Sequence, residues 1–263
     1  MTAVLETRGI SVSYGGVSAL DHVDVQVAEG QLVGLIGPNG AGKTTWIDAV
    51  CGLARSTGET WLGGSNITAL TPAARARAGL GRTWQAAELF EDLTVRENLA
   101  VAADRRPMWR LVWEALTGAE SDPPGIESTL DLLGIGELGD VAADALTQGQ
   151  RKLVGVARAL APGPRVVCLD EPAAGLDTAE SGLLGQRLRR VVETGVAMLL
   201  VDHDMGLILD VCDWVVVLEF GRVIASGPPE AVRRDPKVVE AYLGGAAEES
   251  RAALGASAIG TEV

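Results

Sequence analysis

Leu32-Val33-Gly34-Leu35-Ile36-Gly37-Pro38-Asn39-Gly40-Ala41-Gly42-Lys43-Thr44-Thr45 sets the architecture of this 263-residue chain. Its first five residues are a continuous apolar run of strand length, the pattern of a strand covered on both faces and hence of a parallel sheet. Gly37 to Thr44 fits G-x-x-x-x-G-K-[ST], and Thr45, Trp46 and Ile47 open a helix-length segment behind it. The glycines let the backbone turn tightly, so that successive N–H groups and the helix N-terminus point at phosphate oxygens. Lys43 then supplies a cation and Thr44 a hydroxyl ligand for Mg2+. A glycine-rich turn without a ligand is the plainer alternative, but a strand before and a helix after is the context that a phosphate-cradling loop demands. Nucleoside triphosphate binding follows.

Two further continuous runs, Val166-Val167-Cys168-Leu169 and Val196-Ala197-Met198-Leu199-Leu200-Val201, are each trailed by acidic or His residues and a helix-length stretch. Such alternation of strand and helix indicates an α/β fold. Asp170 and Glu171 end the first of these runs, where ligands of an open parallel sheet bind. Asp170 would hold the Mg2+ water shell, and Glu171 would accept a proton from, or orient, the water attacking a γ-phosphate. His203 follows its strand as Gly37 follows Ile36. Three strand ends are therefore expected to converge on one crevice, where a histidine can hydrogen-bond a γ-phosphate oxygen. His22, with no acidic or glycine motif beside it, reads as surface structure.

Upstream of the loop, Val23, Val25 and Val27 alternate with Asp24 and Gln26, the period-two signature of a strand with one buried face. Between about 86 and 163 the continuous strand runs give way to helical patterns. Thr94 caps a helix from Val95, Asp104 to Pro124 is charged and loop-like around Trp109 and Trp113, and Ile126 to Leu133 continues helically. The expected fold is thus α/β. A parallel-sheet nucleotide-binding core over 1–85 and 164–244 carries an N-terminal antiparallel β subdomain, with a helical subdomain inserted over 86–163. Pro228-Pro229 and Asp235-Pro236 punctuate two short helices, and the Ala/Gly/Ser/Glu-rich 245–263 is expected to be disordered.

Composition bounds the function. At 47% apolar residues the chain buries a real core, while 22 Lys+Arg against 35 Asp+Glu give a net charge of −13, which disfavours a sequence-blind grip on nucleic-acid phosphates. No stretch approaches the roughly 20 apolar residues of a membrane span, and Met1 to Gly16 lacks the apolar block of a signal peptide. A cytosolic chain is expected. Cys51, Cys168 and Cys212 form no CxxC pair and read as reduced core residues.

Leu146-Thr147-Gln148-Gly149-Gln150 precedes a segment in which Leu153, Val156, Ala157 and Leu160 keep helical spacing. A hydroxyl and a glycine before a helix make a second anion-binding terminus, although an ordinary capped helix looks the same. Taken together, these segments resemble the ATP-binding subunits of ABC transporters over roughly Leu5 to Gly244. In that resemblance the adenine platform falls on Tyr14, and the phosphate loop on Gly37, Pro38, Asn39, Gly40, Ala41, Gly42, Lys43, Thr44 and Thr45. The glutamine that links Mg2+ to the transmembrane interface falls on Gln85, the signature on Leu146 to Gln150, the loop that crosses to a second subunit on Ala174 to Asp177, and the switch histidine on His203. The resemblance implies catalysis by Glu171, His203, Lys43 and Gln85, further nucleotide contacts from Thr147, Gln148, Gly149, Gln150 and Asp177, and Mg2+ held by Thr44, Gln85 and Asp170.

The finer likeness is to the ATPase subunits of branched-chain amino acid importers. Arg82-Thr83-Trp84-Gln85, Leu93-Thr94-Val95-Arg96-Glu97-Asn98-Leu99, Asp202-His203-Asp204-Met205 and Pro236 to Gly244 carry it, and relatives handling urea, short amides or other amino acids look similar. Thr147 departs from the family's usual serine, keeping the hydroxyl and adding a methyl; Gln148 replaces the usual Gly or aromatic residue at a tolerant position, and Trp84 stands where Phe is more usual, neither altering the expected chemistry.

The chain has one phosphate loop and one signature, so the resemblance implies a head-to-tail pair of ATPase subunits, the second being the same or a related chain, with two ATP molecules between them. It further implies a peripheral place on the cytoplasmic face of the cell membrane, two integral membrane permease subunits as partners, an extracytoplasmic solute-binding protein behind them, and no nucleic acid. The implied function is ATP hydrolysis powering uptake of branched-chain amino acids or related small polar solutes. The competing class is a non-transport ABC ATPase acting on a macromolecular partner, but the charged linker between two ATPase halves, or the long coiled coil, of such members is missing from the sequence. A phosphate-loop kinase would leave Leu146 to Gln150 and His203 without a role.

Overall fold

The computed structural model describes residues 3–84, 89–104 and 125–242. Gln85, the segment around Trp109 and Trp113, and the tail 245–263 lie outside the described residues.

The chain opens with a hairpin of β1 (Ala3–Tyr14) and β2 (Val17–Ala28), in which Leu5 pairs with Val27 and Tyr14 with Val17. Val23, Val25 and Val27 are buried and Asp24 and Gln26 are exposed, as the alternation requires. β3 (Leu32–Ile36) follows, buried throughout, and the glycine loop leads from it into α1 (Lys43–Cys51). β4 (Thr57–Leu62) and β5 (Ser65–Asn66) return to the hairpin and complete an antiparallel sheet of order β2-β1-β4-β5. α2 (Pro72–Ala78), capped by Thr71, then delivers the short β6 (Leu80–Arg82).

Helices take over next: α3 (Val95–Ala103), α4 (Ile126–Leu133) and α5 (Gln148–Leu160). α3 starts where the sequence predicts, because Thr94 and Glu97 cap each other reciprocally, Thr94 Oγ1 accepting from the Glu97 N–H and Glu97 Oε2 accepting from the Thr94 N–H. β7 (Val166–Asp170), α6 (Thr178–Glu193), β8 (Ala197–Val201), α7 (Met205–Val211), β9 (Trp214–Glu219), β10 (Arg222–Gly227) and α8 (Pro229–Val232) follow, with a last helical stretch over 236–242.

The second sheet has the order β10-β9-β3-β8-β7-β6, parallel except for the antiparallel edge strand β10. Its central strands separate two cores. Leu32, Ile36, Val167, Leu169, Met198 and Leu200 face the cluster built with α4, α5 and α6, whereas Val33, Leu35, Val166, Cys168, Leu199 and Val201 face the cluster of α1 and the β hairpin, where Trp46 is fully buried. Covering both faces is why β3, β7 and β8 read as unbroken apolar runs. Val215 to Leu218 of β9 is a fourth run of this kind, and β8 begins at Ala197, one residue later than expected. Because the strands are parallel, the ends of β3, β7 and β8 lie on one edge of the sheet with β8 in the middle.

Candidate active site

The glycine loop is pinned from two sides. Gly37 has φ 151°, and a Cβ there would stand 2.1 Å from the carbonyl oxygen of Leu218 in β9. Gly42 has φ 103°, and its Cβ would meet the Ala19 carbonyl at 2.7 Å in β2. Only glycine fits either position, and the close approach fixes the loop against β9 and the hairpin. Gly42 caps α1 without any side-chain hydrogen bond, so the first N–H groups of that helix are not capped by a side chain. Lys43, almost fully buried, donates from Nζ to the carbonyls of Gly37 at 2.7 Å and Pro38 at 3.0 Å. Burial pushes its pKa down, and the charges of Glu171 and Asp170 push back. Asn39 and Gly40 stand exposed at the rim, and Thr45 is half-buried behind them.

Asp170 ends β7 with its carboxylate buried. Thr44 Oγ1 donates to Oδ1 at 3.5 Å, Arg82 donates to Oδ2 at 3.4 Å, and the main-chain N–H of Asp170 donates to Thr83 Oγ1 at 3.0 Å. Arg82 also pairs with Asp48 of α1. Burial raises the pKa of Asp170, and Arg82 draws it back. A hydroxyl and a carboxylate oxygen facing each other beside the loop are hard donors of the kind Mg2+ takes.

Glu171 turns the chain out of the strand in a left-handed conformation, φ 49°, with its N–H donating to the carbonyl of Val201 at 2.8 Å. A non-glycine residue held there by its neighbours is a feature of functional sites. One residue past the end of β8 lies Asp202, 1% exposed. Its Oδ1 accepts from the N–H groups of His203 at 2.8 Å and Asp204 at 3.1 Å, and its Oδ2 accepts from Ala173 N–H at 3.0 Å. One carboxylate therefore ties the His203 turn to the segment just beyond Glu171. His203 itself is largely exposed, with Nδ1 3.5 Å from Asp202.

Asp202→Asn is accordingly expected to lower kcat for ATP hydrolysis about tenfold while the ATP dissociation constant stays within about threefold. An amide has one acceptor oxygen in place of two and leaves a buried N–H unpaired, at about 1–3 kcal/mol. Steady-state ATPase assays with calorimetric ATP titration check this.

Thr147 caps α5 in a reciprocal box, its Oγ1 accepting from Gln150 N–H at 3.3 Å and its own N–H donating to Gln150 Oε1 at 2.9 Å. Gly149 packs against Glu180, and Gln148 covers Gly175, so this terminus rests on the Ala174–Asp177 segment of its own chain. Asp177 caps α6 with Glu180 in the same reciprocal way. Lys152, one turn into α5, donates to the Glu171 carbonyl at 3.4 Å. Tyr14 is half exposed at the end of β1, whose hairpin touches the loop through Ala19 and Leu20. The structure thus gathers Gly37 to Thr45, Asp170 and Glu171 in one place, ties the His203 turn to them through Asp202, and sets Thr147 to Gln150 and Asp177 in a cluster beside it. Sequence reasoning missed Arg82, Thr83, Lys152 and Asp202 as supports; only Asp202, an acid ending an apolar run as Asp170 does, left a readable signal.

A parallel sheet with a phosphate-binding loop after one strand and an acidic pair after another defines a P-loop nucleoside triphosphatase. The family model described as ABC transporter matches residues 20–174, and that described as branched-chain amino acid ATP-binding cassette transporter matches residues 222–248. The chain belongs to the ABC transporter ATP-binding family. It is 36% identical to the high-affinity branched-chain amino acid transport ATP-binding protein BraF of Pseudomonas aeruginosa, over 92% of this chain and 98% of that one. It is 34% identical to the lipopolysaccharide export system ATP-binding protein LptB of Acidithiobacillus ferridurans, over 93% and 98%. The crystal structure of the ADP conformation of MJ1267, an ATP-binding cassette of an ABC transporter, superposes with a TM-score of 0.82 at 30% identity, covering 93% of this chain and all of that one. The chain is therefore an ATPase of the transporter class, working with permease partners. No helix among the described residues is long and apolar enough to cross a membrane.

Proposed function

We propose that this chain hydrolyses ATP to power uptake of branched-chain amino acids or related small polar solutes. The observation that carries the solute class is the match of residues 222–248 to the branched-chain amino acid cassette model, because overall identity to a lipopolysaccharide exporter subunit is nearly as high as to BraF. The chain acts as one of a head-to-tail pair of ATPase subunits on the cytoplasmic face of the membrane, under two permeases served by an extracytoplasmic solute-binding protein. The placement of Thr147 to Gln150 on the Asp177 segment supports this pairing, since a signature there is offered outward to a second subunit's nucleotide. The core over 1–85 and 164–244, the helical subdomain over 86–163 and the tail 245–263 belong to the same reading.

In the reaction, Lys43 and the α1 N-terminus hold the β- and γ-phosphates, Tyr14 supports the adenine, and Glu171 accepts a proton from, or orients, the attacking water. His203 donates to the γ-phosphate. Thr44 and Asp170, with Gln85, would hold Mg2+, which when bound neutralises phosphate charge.

Gentle-detergent affinity purification from native membranes tests this. Recovery with two integral membrane permeases and one further ATPase subunit, identical or related, is expected; recovery alone or with ribosomes or DNA, with hydrolysis intact, would discard the importer.

A further inference from the structure

Arg82 stands between two sites. It ends β6, an edge strand, with its side chain only 10% exposed. On the inner side its guanidinium reaches Oδ2 of Asp170 and the carboxylate of Asp48. On the outer side it lies under the indole of Trp84, with the guanidinium carbon 4.7 Å from the ring centroid. Trp84 is 60% exposed. Both residues line a cavity of about 530 Å³ between α2, β6 and α5, whose lining includes Arg75, Arg77 and Arg158 and, among the described residues, no carboxylate. Arg75 is committed to the fold, donating to four backbone carbonyls, whereas Nε of Arg82 is buried with no hydrogen-bond partner among the described residues.

The carboxylate of Asp170 is held by two side chains only among the described residues: Thr44 at Oδ1 and Arg82 at Oδ2. Thr83 grips the main chain of Asp170 and not its carboxylate. By fixing one oxygen, Arg82 presents the other toward Thr44. The Asp170 charge also acts on Lys43. Without Arg82, Oδ2 loses its one side-chain partner among the described residues, and the orientation that sets Oδ1 toward Thr44 is no longer fixed.

We propose that Arg82 is a positioning residue for Asp170, and that Trp84 is its handle in the cavity, so that a displacement of Trp84 is felt at the metal ligand. The proposal rests on the reading of Asp170 as a Mg2+ ligand. Two effects of removing Arg82 oppose each other, which makes the sign informative. Loss of a positive charge beside Asp170 tightens binding of a cation, whereas loss of positioning weakens it. Positioning wins if the proposal holds.

The test uses the full chain in the Glu171→Gln background, with ATP bound and manganese(II) as the probe, counted by electron paramagnetic resonance. Metal-free ATP affinity is measured in parallel by calorimetry. Arg82→Ala is expected to raise the manganese dissociation constant about tenfold. Arg82→Lys should fall between it and the parent, since one ammonium cannot fork between Asp48 and Asp170. Trp84→Ala should raise the constant two- to fourfold, and Arg77→Ala, on the same cavity wall, should leave it unchanged. Metal-free ATP affinity should stay within twofold throughout, which a general loss of structure would not allow. Manganese affinity that is unchanged or tighter in Arg82→Ala overturns the positioning role, and a parental value in Trp84→Ala overturns the handle. Should Arg82→Ala not fold, Arg82→Lys and Trp84→Ala carry the same comparison. Asp170→Asn separates the underlying reading: if it too leaves manganese binding intact, Asp170 is not the ligand and the proposal falls with it.

Discussion

Glu171→Gln is expected to bind ATP within a few-fold of the parent chain and to lose hydrolysis by about 10²- to 10⁴-fold, the range that a positioned general base contributes. The replacement is nearly isosteric. It keeps the N–H that donates to Val201 and asks no more of the left-handed backbone than glutamate does, so the turn after β7 stays as it is. Only the basicity changes, because a neutral amide is a poor proton acceptor. One negative charge near Lys43 also disappears, which favours triphosphate binding slightly. Equilibrium ATP titration against single-turnover hydrolysis separates the two quantities. Undiminished turnover would remove Glu171 from the chemistry and leave Asp170 to be tested next.

The sequence is legible here where local rules suffice. Parallel strands covered on both faces cannot hide their hydrophobicity, so β3, β7 and β8 stand out as runs, and the run of β9 is equally plain. β6 is three residues long, β4 exposes half of its residues, and β10 is mostly uncovered. Their strand character comes from pairing with neighbours and not from their own pattern. The same divide runs through the site. Gly37 to Thr45 is contiguous and carries its chemistry in its spacing. Of the groups that hold Asp170, Thr83 and Arg82 come from 87 and 88 residues away, and Asp202 reaches Ala173 across 29. Such supports are created by the sheet order β8-β7-β6, which no local pattern encodes.

Removing the loop lysine should have the second largest effect. Lys43→Ala is expected to weaken ATP binding by about 100-fold or more, since a charge-assisted hydrogen bond contributes about 1.5–3 kcal/mol, and its loss exposes a second cost. Asp170 and Glu171 both act electrostatically on Lys43, and without it they face the incoming phosphates uncompensated. Repulsion is thus added to lost attraction. The fold should survive, because alanine is a strong helix former at the start of α1 and the Gly37 and Pro38 carbonyls lose only the two bonds that Nζ makes. Lys43→Arg should not restore binding in full: the ammonium bonds those two carbonyls at 2.7 and 3.0 Å as a compact point charge, and the bulkier planar guanidinium places its charge differently. Calorimetric ATP titration with thermal unfolding on the same samples checks both variants. An alanine variant that binds ATP like the parent would place the nucleotide elsewhere than on Gly37 to Thr45; one that fails to bind while melting normally fixes the triphosphate on this loop.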